Sequence, residues 1–162
     1  MTYFECYADE SFLRFLGLNT KELSGGHSNG RSNVSRKLRK AEGVGVTGFI
    51  DEDPGAPKDS YLSYLFSLAP NYSDSHIIHI LDVNTKNELI VIRPDLEGLA
   101  ISIAKDRKID LSREYGLSMN RGDLHDMLRI ERNISKRKKL IDFFSEVSTH
   151  STIIKLKELI NS

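Results

Sequence analysis

The sequence predicts an α/β fold with a mostly parallel sheet flanked by helices, followed by a helical C-terminal extension. In the first half, short apolar runs alternate with helical stretches, and this βαβαβ order favours parallel strands joined by helices. After Pro94, helical periodicity takes over. We expect residues 1–93 to form the α/β core and residues 94–162 to pack on it, within a single compact domain.

The elements of the first half follow from apolar runs and their boundaries. Residues 2–7 predict a strand with Tyr3 and Phe4 at its centre. Asp9 is expected to cap a helix that ends at Gly17. Three further elements are a short strand at 20–23, a basic amphipathic helix at 33–40 and a buried strand at 44–50.

The later elements are two strands and then helices. Residues 76–83 and 88–93 predict strands with a polar turn at 84–87 between them. Their alternation supports a hairpin, and two strands that are separated by a longer detour are the alternative. Helical periodicity then marks four segments, at 95–105, 124–130, 136–147 and 152–160.

Charge and cysteine content narrow the function classes. Lys plus Arg total 23 and Asp plus Glu total 23, which excludes a highly basic nucleic-acid coat and an acidic disordered tail as descriptions of the whole chain. The single cysteine, Cys6, cannot form an internal disulfide. No apolar run approaches the roughly 20 residues that span a bilayer, and the N-terminus lacks a signal-peptide pattern. We therefore expect a cytoplasmic protein with no membrane partner.

Acidic residues follow or interrupt the apolar strands. Glu5 lies in an aromatic strand, where a carboxylate is costly unless it is paired. Asp51 and Asp53 follow a buried strand at a spacing that points both side chains the same way in extended backbone. Open α/β sheets bind ligands at such strand ends. A divalent cation, Mg²⁺ or Mn²⁺, would relieve repulsion among converging carboxylates. Residues 51–55 also fit a surface turn, but Glu5 has no turn explanation.

Glu5-Cys6-Tyr7-Ala8-Asp9, the Gly25-Gly26 loop and Gly48-Phe49-Ile50-Asp51-Glu52-Asp53 together resemble the Toprim domain. The signature of that family is a glutamate at the end of the first strand and an Asp-x-Asp at the end of a later one. The resemblance covers about residues 1–93. It implies Glu5 as general acid or base, Asp51 and Asp53 as Mg²⁺ ligands, and Asp9 as a further acid at the metal. Many members have glycine after the glutamate, where this chain has Cys6.

Cationic residues near the acidic cluster are candidates for substrate binding. Arg31, Arg36 and Lys37, with the glycine-rich loop 25–32, are expected to receive phosphates; a flexible loop and a solvated helix face are the alternatives. The basic segment 132–139 is a second candidate surface. Glu97 is a possible additional acid, although stabilisation of a helix N-terminus also explains it. We expect Tyr61, Tyr64 and Phe66 to pack a helix rather than stack bases.

The resemblance implies a Mg²⁺-dependent nuclease, or a related phosphoryl-transfer protein, that acts on nucleic acid, as in phage defence. One alternative is a non-catalytic binding or regulatory module that works with a separately encoded ATPase. A third interpretation is a small-molecule phosphatase or nucleotide enzyme that uses the same carboxylates.

Overall fold

The computed structural model describes residues 1–41, 43–129 and 133–162. These residues form two compact units. The first unit contains Met1–Cys6 and Asn19–Asp95, and the second contains Tyr7–Leu18 and Leu96–Ser162. Within the described residues, every helix is too short or too polar to cross a membrane.

The first unit is built on a five-stranded sheet within the described residues, with strand order β1-β2-β5-β4-β3. Its strands are β1 (Thr2–Phe4), β2 (Thr47–Asp51), β3 (Tyr72–Ser73), β4 (Ile77–Asp82) and β5 (Asn87–Ile92). β1 pairs parallel with β2, with Phe4 opposite Phe49, and β2 pairs parallel with β5, with Asp51 opposite Ile92. The carboxyl ends of these three strands therefore meet at one edge.

The sheet is mixed rather than mostly parallel, which corrects one part of the prediction. β4 and β5 form the predicted hairpin, and β3 pairs antiparallel with β4. The turn between β4 and β5 is short and has Lys86 at a φ of 61°. A connection of that length can join only antiparallel neighbours, because a parallel pair needs a crossover of a dozen or more residues. The α/β class itself is confirmed.

The helices of the first unit are α2 (Thr20–Leu23), α3 (Arg31–Lys40) and α4 (Ser60–Ser67), and α1 (Tyr7–Leu16) belongs to the second unit. The strand predicted at 20–23 is wrong. Asn19 accepts hydrogen bonds from the backbone of Lys21 and Glu22, and the Glu22 side chain accepts one from the Asn19 backbone, so a capping box starts a helix there.

Three other predicted boundaries are also wrong. The strand predicted at 2–7 ends at Phe4. Asp9 is not an N-cap, because α1 begins at Tyr7 and places Asp9 in its first turn. The strand predicted at 44–50 begins only at Thr47, and the Val44 side chain is 74% exposed. Gly43 and Gly45 both have positive φ, which bends the chain before the strand.

The core of the first unit lies between the sheet and the helices α3 and α4. Val34 and Leu38 of α3, one turn apart, are fully buried against Ile50 and Leu89 of the central strands. Gly48 of β2 allows this close approach, since a Cβ there would lie 2.7 Å from Leu38 Cδ1. This packing fixes α3 across the sheet, and with it the start of α3 near the strand ends.

The second unit is helical, as predicted for the region after Pro94. Besides α1, its helices are α5 (Leu96–Asp106), α6 (Leu111–Tyr115), α7 (Arg121–Arg129), α8 (Ile134–Glu146) and α9 (Ser151–Ile160). Phe12 of α1 packs on Phe144 of α8 with ring centroids 4.5 Å apart. Ile130, the last residue of one predicted helix, and Arg132, the first cation of the second basic segment, lie outside the described residues.

Candidate functional site

Glu5 and Asp51 lie at the carboxyl ends of two neighbouring parallel strands. Glu5 directly follows β1, and Asp51 is the last residue of β2. The Asp51 N–H donates to Glu5 Oε1 at 2.9 Å, which joins the two strand ends. The carboxylate that the sequence placed inside a strand therefore lies just beyond it and has a backbone partner.

The loop after β2 holds its acidic residues against the end of β5. The Glu52 N–H donates to Ile92 O at 2.8 Å, and the Asp53 N–H donates to Pro94 O at 3.1 Å. Asp53 has a φ of 44°, a left-handed conformation that aspartate tolerates better than most residues. The segment is thus a turn, as one interpretation required, and its Asp53 side chain lines the same cleft as Glu5.

The cleft beside Glu5 has a volume of about 290 Å³ and is closed on one side by the start of α3. The Gly30 N–H donates to Glu5 O at 3.2 Å. Gly30 precedes the helix at a φ of 109°, a conformation that glycine adopts without strain. The remaining lining residues besides Glu5, Gly30 and Asp53 are Asn29, Arg31, Ser32, Asn33 and Pro57. Two acidic side chains and the N-terminal turn of a helix therefore face one space.

The electrostatics of the cleft act most strongly on Glu5. Burial raises the pKa of Glu5 above its usual value, and the charge of Asp53 raises it further. The hydrogen bond from the Asp51 backbone, the Arg31 guanidinium and the Arg31 backbone N–H oppose the shift without cancelling it. Glu5 is thus a carboxyl whose charged form is disfavoured in the folded chain.

Arg31, the first residue of α3, holds the acidic loop. Its Nη1 donates to Glu52 O at 2.8 Å and its Nη2 donates to Pro57 O at 3.0 Å. The sequence suggested only a phosphate contact for this residue. Because two of the five guanidinium N–H groups bond to the loop, Arg31 connects α3 to the segment that carries Asp53.

The other predicted phosphate ligands differ in how they are held. Arg36 is exposed, and its Nη2 donates to Asn33 Oδ1 at 2.9 Å. Lys37 Nζ donates to Gly25 O at 3.0 Å and to His27 O at 2.8 Å, so it ties α3 to the preceding loop. Of these two cations, Arg36 is the one whose side chain is open to solvent.

The loop predicted at 25–32 divides into two parts. Its first part runs beside β1, where the Phe4 N–H donates to Gly26 O and the Ser28 N–H donates to Phe4 O. Gly26 is needed there, since a Cβ would lie 2.2 Å from Thr2 O. Only the last part, from Asn29 onward, lines the acidic cleft.

Asp9 and Glu97 belong to the second unit, whereas Glu5, Asp51 and Asp53 belong to the first. Asp9 is buried in α1, and Glu97 is buried in the first turn of α5. Glu97 Oε1 lies 3.1 Å from His125 Nδ1 of α7. The second basic segment is in part structural, because Arg137 is buried and its Nη1 donates to Leu128 O at 3.4 Å, while Lys136 Nζ donates to Gly116 O at 2.8 Å.

Sequence reasoning missed an ion pair at the same edge of the sheet. Arg93 Nη2 lies 3.1 Å from Glu52 Oε1, and Arg93 Nε donates to Glu52 Oε2 at 3.2 Å. Both residues directly follow strands, β5 and β2, that are parallel neighbours. An acidic and a basic residue that each directly follow a predicted strand are the sequence signal that could have identified this ion pair.

In the part of the chain that the structure describes, no three histidine, cysteine, aspartate or glutamate side chains form a group arranged to hold one metal ion. No protein-family model, curated protein or solved structure matches the chain.

Proposed function

We propose that the chain is a Toprim-type nuclease, or a related phosphoryl-transfer protein, that uses Mg²⁺ or Mn²⁺ to act on nucleic acid. The observation that supports this most directly is the convergence at the carboxyl ends of β1 and β2. There the Glu5 carboxylate accepts a hydrogen bond from the Asp51 backbone, and it shares a cleft with Asp53. Open α/β sheets bind their ligands at this edge.

The donor set suits a hard divalent cation. Asp51 and Asp53 would supply carboxylate oxygens, and Mg²⁺ is commonly held by one or two carboxylates together with water and substrate phosphate. When bound, the cation would offset phosphate charge and orient a water or leaving group. Asp9, which the family resemblance adds to this set, remains part of the proposal.

Glu5 would act as the general acid or base. It is anchored at both ends, because its backbone oxygen accepts from Gly30 and its side-chain oxygen accepts from Asp51. A carboxyl held in this way has a fixed orientation toward the cleft, which proton transfer to or from a reacting group requires. The role of Glu97 as an additional acid stays a prediction that its own substitution would test.

The start of α3 would receive the substrate phosphate. Ser32 and Asn33 line the cleft with side chains that can donate hydrogen bonds, and the N–H groups of a first helical turn favour anions. Arg36 lies one turn further along on the exposed side of the same helix. Positive groups at this position would offset the repulsion between the carboxylates and a polyanion.

A second candidate function is a binding or regulatory module without catalysis, acting with a separately encoded ATPase. Two observations favour it. Cys6, which directly follows Glu5, is partly buried, whereas the related domains often have glycine there. The cations Arg31 and Lys37 are bonded to backbone oxygens of the chain itself.

Cleavage assays separate these functions. Labelled single- and double-stranded DNA and RNA would be incubated with Mg²⁺ or Mn²⁺ and with wild type, Asp51→Asn or Asp53→Asn. Asp126→Asn is the matched control, because Asp126 is an exposed acid of the second unit. We expect metal-dependent cleavage that Asp51→Asn and Asp53→Asn both lose and the control keeps.

Isothermal titration with Mg²⁺ provides a second readout that does not depend on cleavage. Asp51→Asn and Asp53→Asn should each bind the cation more weakly than wild type. If both variants cleave as fast as wild type, or bind Mg²⁺ as tightly, the proposed metal site is refuted. Nucleic-acid binding without cleavage would support the regulatory function instead.

A further inference from the structure

A second cavity of the first unit, of about 330 Å³, lies at the opposite end of α3 from the acidic cleft. Arg39, in the last turn of the helix, lines it together with Tyr61 and Tyr64 of α4. The other lining residues are Asp82, at the end of β4, and Asn84 and Thr85 of the β4–β5 turn. Its volume is at the lower end of the range for small-molecule pockets. Aromatic, cationic and amide groups therefore line one compartment.

The two tyrosine rings form an ordered aromatic surface. Their centroids are 6.1 Å apart with an angle of 28° between the planes. Tyr64 OH donates to Asp82 Oδ1 at 3.1 Å, and Tyr61 OH accepts from Asn87 Nδ2 at 3.0 Å. Because both hydroxyls are anchored, little ring freedom remains to be lost when a ligand binds.

Asp82 keeps this surface in place and is not available to a ligand. Its carboxylate accepts hydrogen bonds from Thr85 Oγ1 at 2.8 Å and from the Asn84 N–H at 3.0 Å, in addition to the one from Tyr64. Tyr64 nevertheless remains 37% exposed, so part of this residue is open to solvent.

A line of exposed cations connects the tyrosine cavity to the acidic cleft. Ser32 in the first turn of α3 lines the cleft, and Arg39 in the last turn lines the tyrosine cavity, about 10 Å further along the helix axis. Arg36 is exposed between them. The Arg39 side chain is exposed and makes no hydrogen bond or ion pair to another described residue, so its charge is open to an anionic ligand.

We propose that Tyr61 and Tyr64 stack an unpaired base of a single-stranded nucleic acid whose phosphates follow Arg39 and Arg36 toward the acidic cleft. Every base has a π-face, so this contact selects single strands without selecting sequence. A base inside a duplex is covered on both faces by its stacked neighbours. The inference rests on the proposed function, since it names the substrate of the same cleft, and it replaces the expectation that these tyrosines serve packing alone.

Binding is measured by fluorescence anisotropy in EDTA, so that cleavage plays no part. The probes are labelled oligothymidylate, labelled oligouridylate, an abasic DNA strand of the same length and a DNA duplex. We expect wild type to bind both base-bearing single strands more tightly than the abasic strand and the duplex. A comparison of oligouridylate with oligodeoxyuridylate, which carry the same base, then shows whether the protein binds the RNA or the DNA backbone more tightly.

Substitutions at Tyr64 and Arg39 separate the base contact from the phosphate contact. Tyr64→Leu should lose about 5- to 150-fold in affinity for the base-bearing strands and little for the abasic strand. Tyr64→Phe keeps the ring but loses the hydroxyl that bonds to Asp82, so it should keep most of the base-dependent affinity and lose far less than Tyr64→Leu. Arg39→Gln should weaken binding of every strand and lower the salt slope by about one, whereas Lys105→Gln, an exposed cation of the second unit, should not.

A measurement on wild type alone keeps the inference testable even if Tyr64→Leu fails to fold. The chain has six tyrosines and no tryptophan, so its fluorescence comes from tyrosine and includes the emission of Tyr61 and Tyr64. Oligothymidylate should quench it and the abasic strand should not. Equal affinity of wild type for the abasic strand, the duplex and oligothymidylate would overturn the inference.

The stacking site and the proposed nuclease activity can be refuted separately. Base-dependent binding by a chain that cleaves nothing would refute the nuclease activity and support the stacking site. Metal-dependent cleavage with base-independent binding would support the nuclease activity and refute the stacking site.

Discussion

Replacement of Arg31 by methionine tests whether this cation holds the acidic loop. The guanidinium donates to Glu52 O at 2.8 Å and to Pro57 O at 3.0 Å, so it joins the start of α3 to both parts of the loop that carries Asp53. Methionine keeps an unbranched side chain and a similar helix propensity, but it has no donor. The substitution therefore removes the two bonds with little change to the helix itself.

The expected loss of stability follows from the exposure of these bonds. A hydrogen bond from a charged donor contributes roughly 1.5–3 kcal/mol when it is buried. Arg31 is only partly buried and its bond to Pro57 is exposed, so solvent screening reduces the sum of the two to about 2 kcal/mol. For a chain of this length that corresponds to a fall in melting temperature of about 4–8 °C.

Thermal unfolding followed by circular dichroism gives the global effect, and amide hydrogen exchange gives the local one. The N–H groups of Asp53 and Ala56 are bonded to Pro94 O and Asp53 O, and they should exchange faster in Arg31→Met. Arg36→Met is the matched control, because its guanidinium bonds to the Asn33 side chain on the same helix. Unchanged melting and exchange in Arg31→Met, together with weakened nucleic-acid binding, would refute the structural role and leave Arg31 as a phosphate ligand.

Two further predictions concern the framework of the first unit. Gly26→Ala places a Cβ 2.2 Å from Thr2 O, so it should lower the free energy of unfolding in urea by about 1–3 kcal/mol. Gly122→Ala, in an open part of α7, is the control and should leave that free energy unchanged. Equal urea midpoints for the two variants would contradict the close approach at Gly26. Burial raises the pKa of Asp82, but hydrogen bonds from Thr85, Asn84 and Tyr64 outweigh it and lower the pKa below its usual value. The charged carboxylate therefore adds stability above pH 3.8, which is lost as the pH falls through the lowered pKa. Asp82→Asn should be less stable than wild type at neutral pH, with the difference shrinking in acid; a constant difference would contradict the assignment.

Much of the fold could be predicted from the sequence because its central strands are apolar runs with clear boundaries. The strands β2, β4 and β5 and the helices α5, α7, α8 and α9 have such runs, whereas the five-residue helix α6 was not predicted. The segment 20–23 could not be assigned from its apolar pattern, since four residues are too few to distinguish a strand from a helix. There the decisive signal was polar, the pairing of Asn19 with Glu22 in a capping box.

Strand order and pairing direction are the parts of the fold that pattern alone leaves open. β5 lies between β2 and β4 and is parallel to one and antiparallel to the other. Both pairings bury the same kind of apolar side chain, so the sequence of β5 does not indicate which neighbour is parallel and which is antiparallel. The short turn before β5 determines one partner, and the packing of α3 across the sheet positions the other.

In the candidate site, too, strand ends were predictable, whereas the loop conformation that backbone hydrogen bonds determine was not. The convergence of Glu5 and Asp51 was predictable, because parallel strands bring their carboxyl ends together. The prediction placed Asp53 beside Glu5 by assuming extended backbone through residue 53, whereas Asp53 has a φ of 44°. Its position depends instead on its own N–H bonding to Pro94 O and on Arg31 bonding to carbonyl oxygens 21 and 26 residues away. Carbonyl oxygens are the same at every residue, so no sequence pattern reports which of them a cation contacts. The acidic loop is therefore both a turn and a means of presenting Asp53 beside Glu5, and the two interpretations of residues 51–55 are compatible rather than competing.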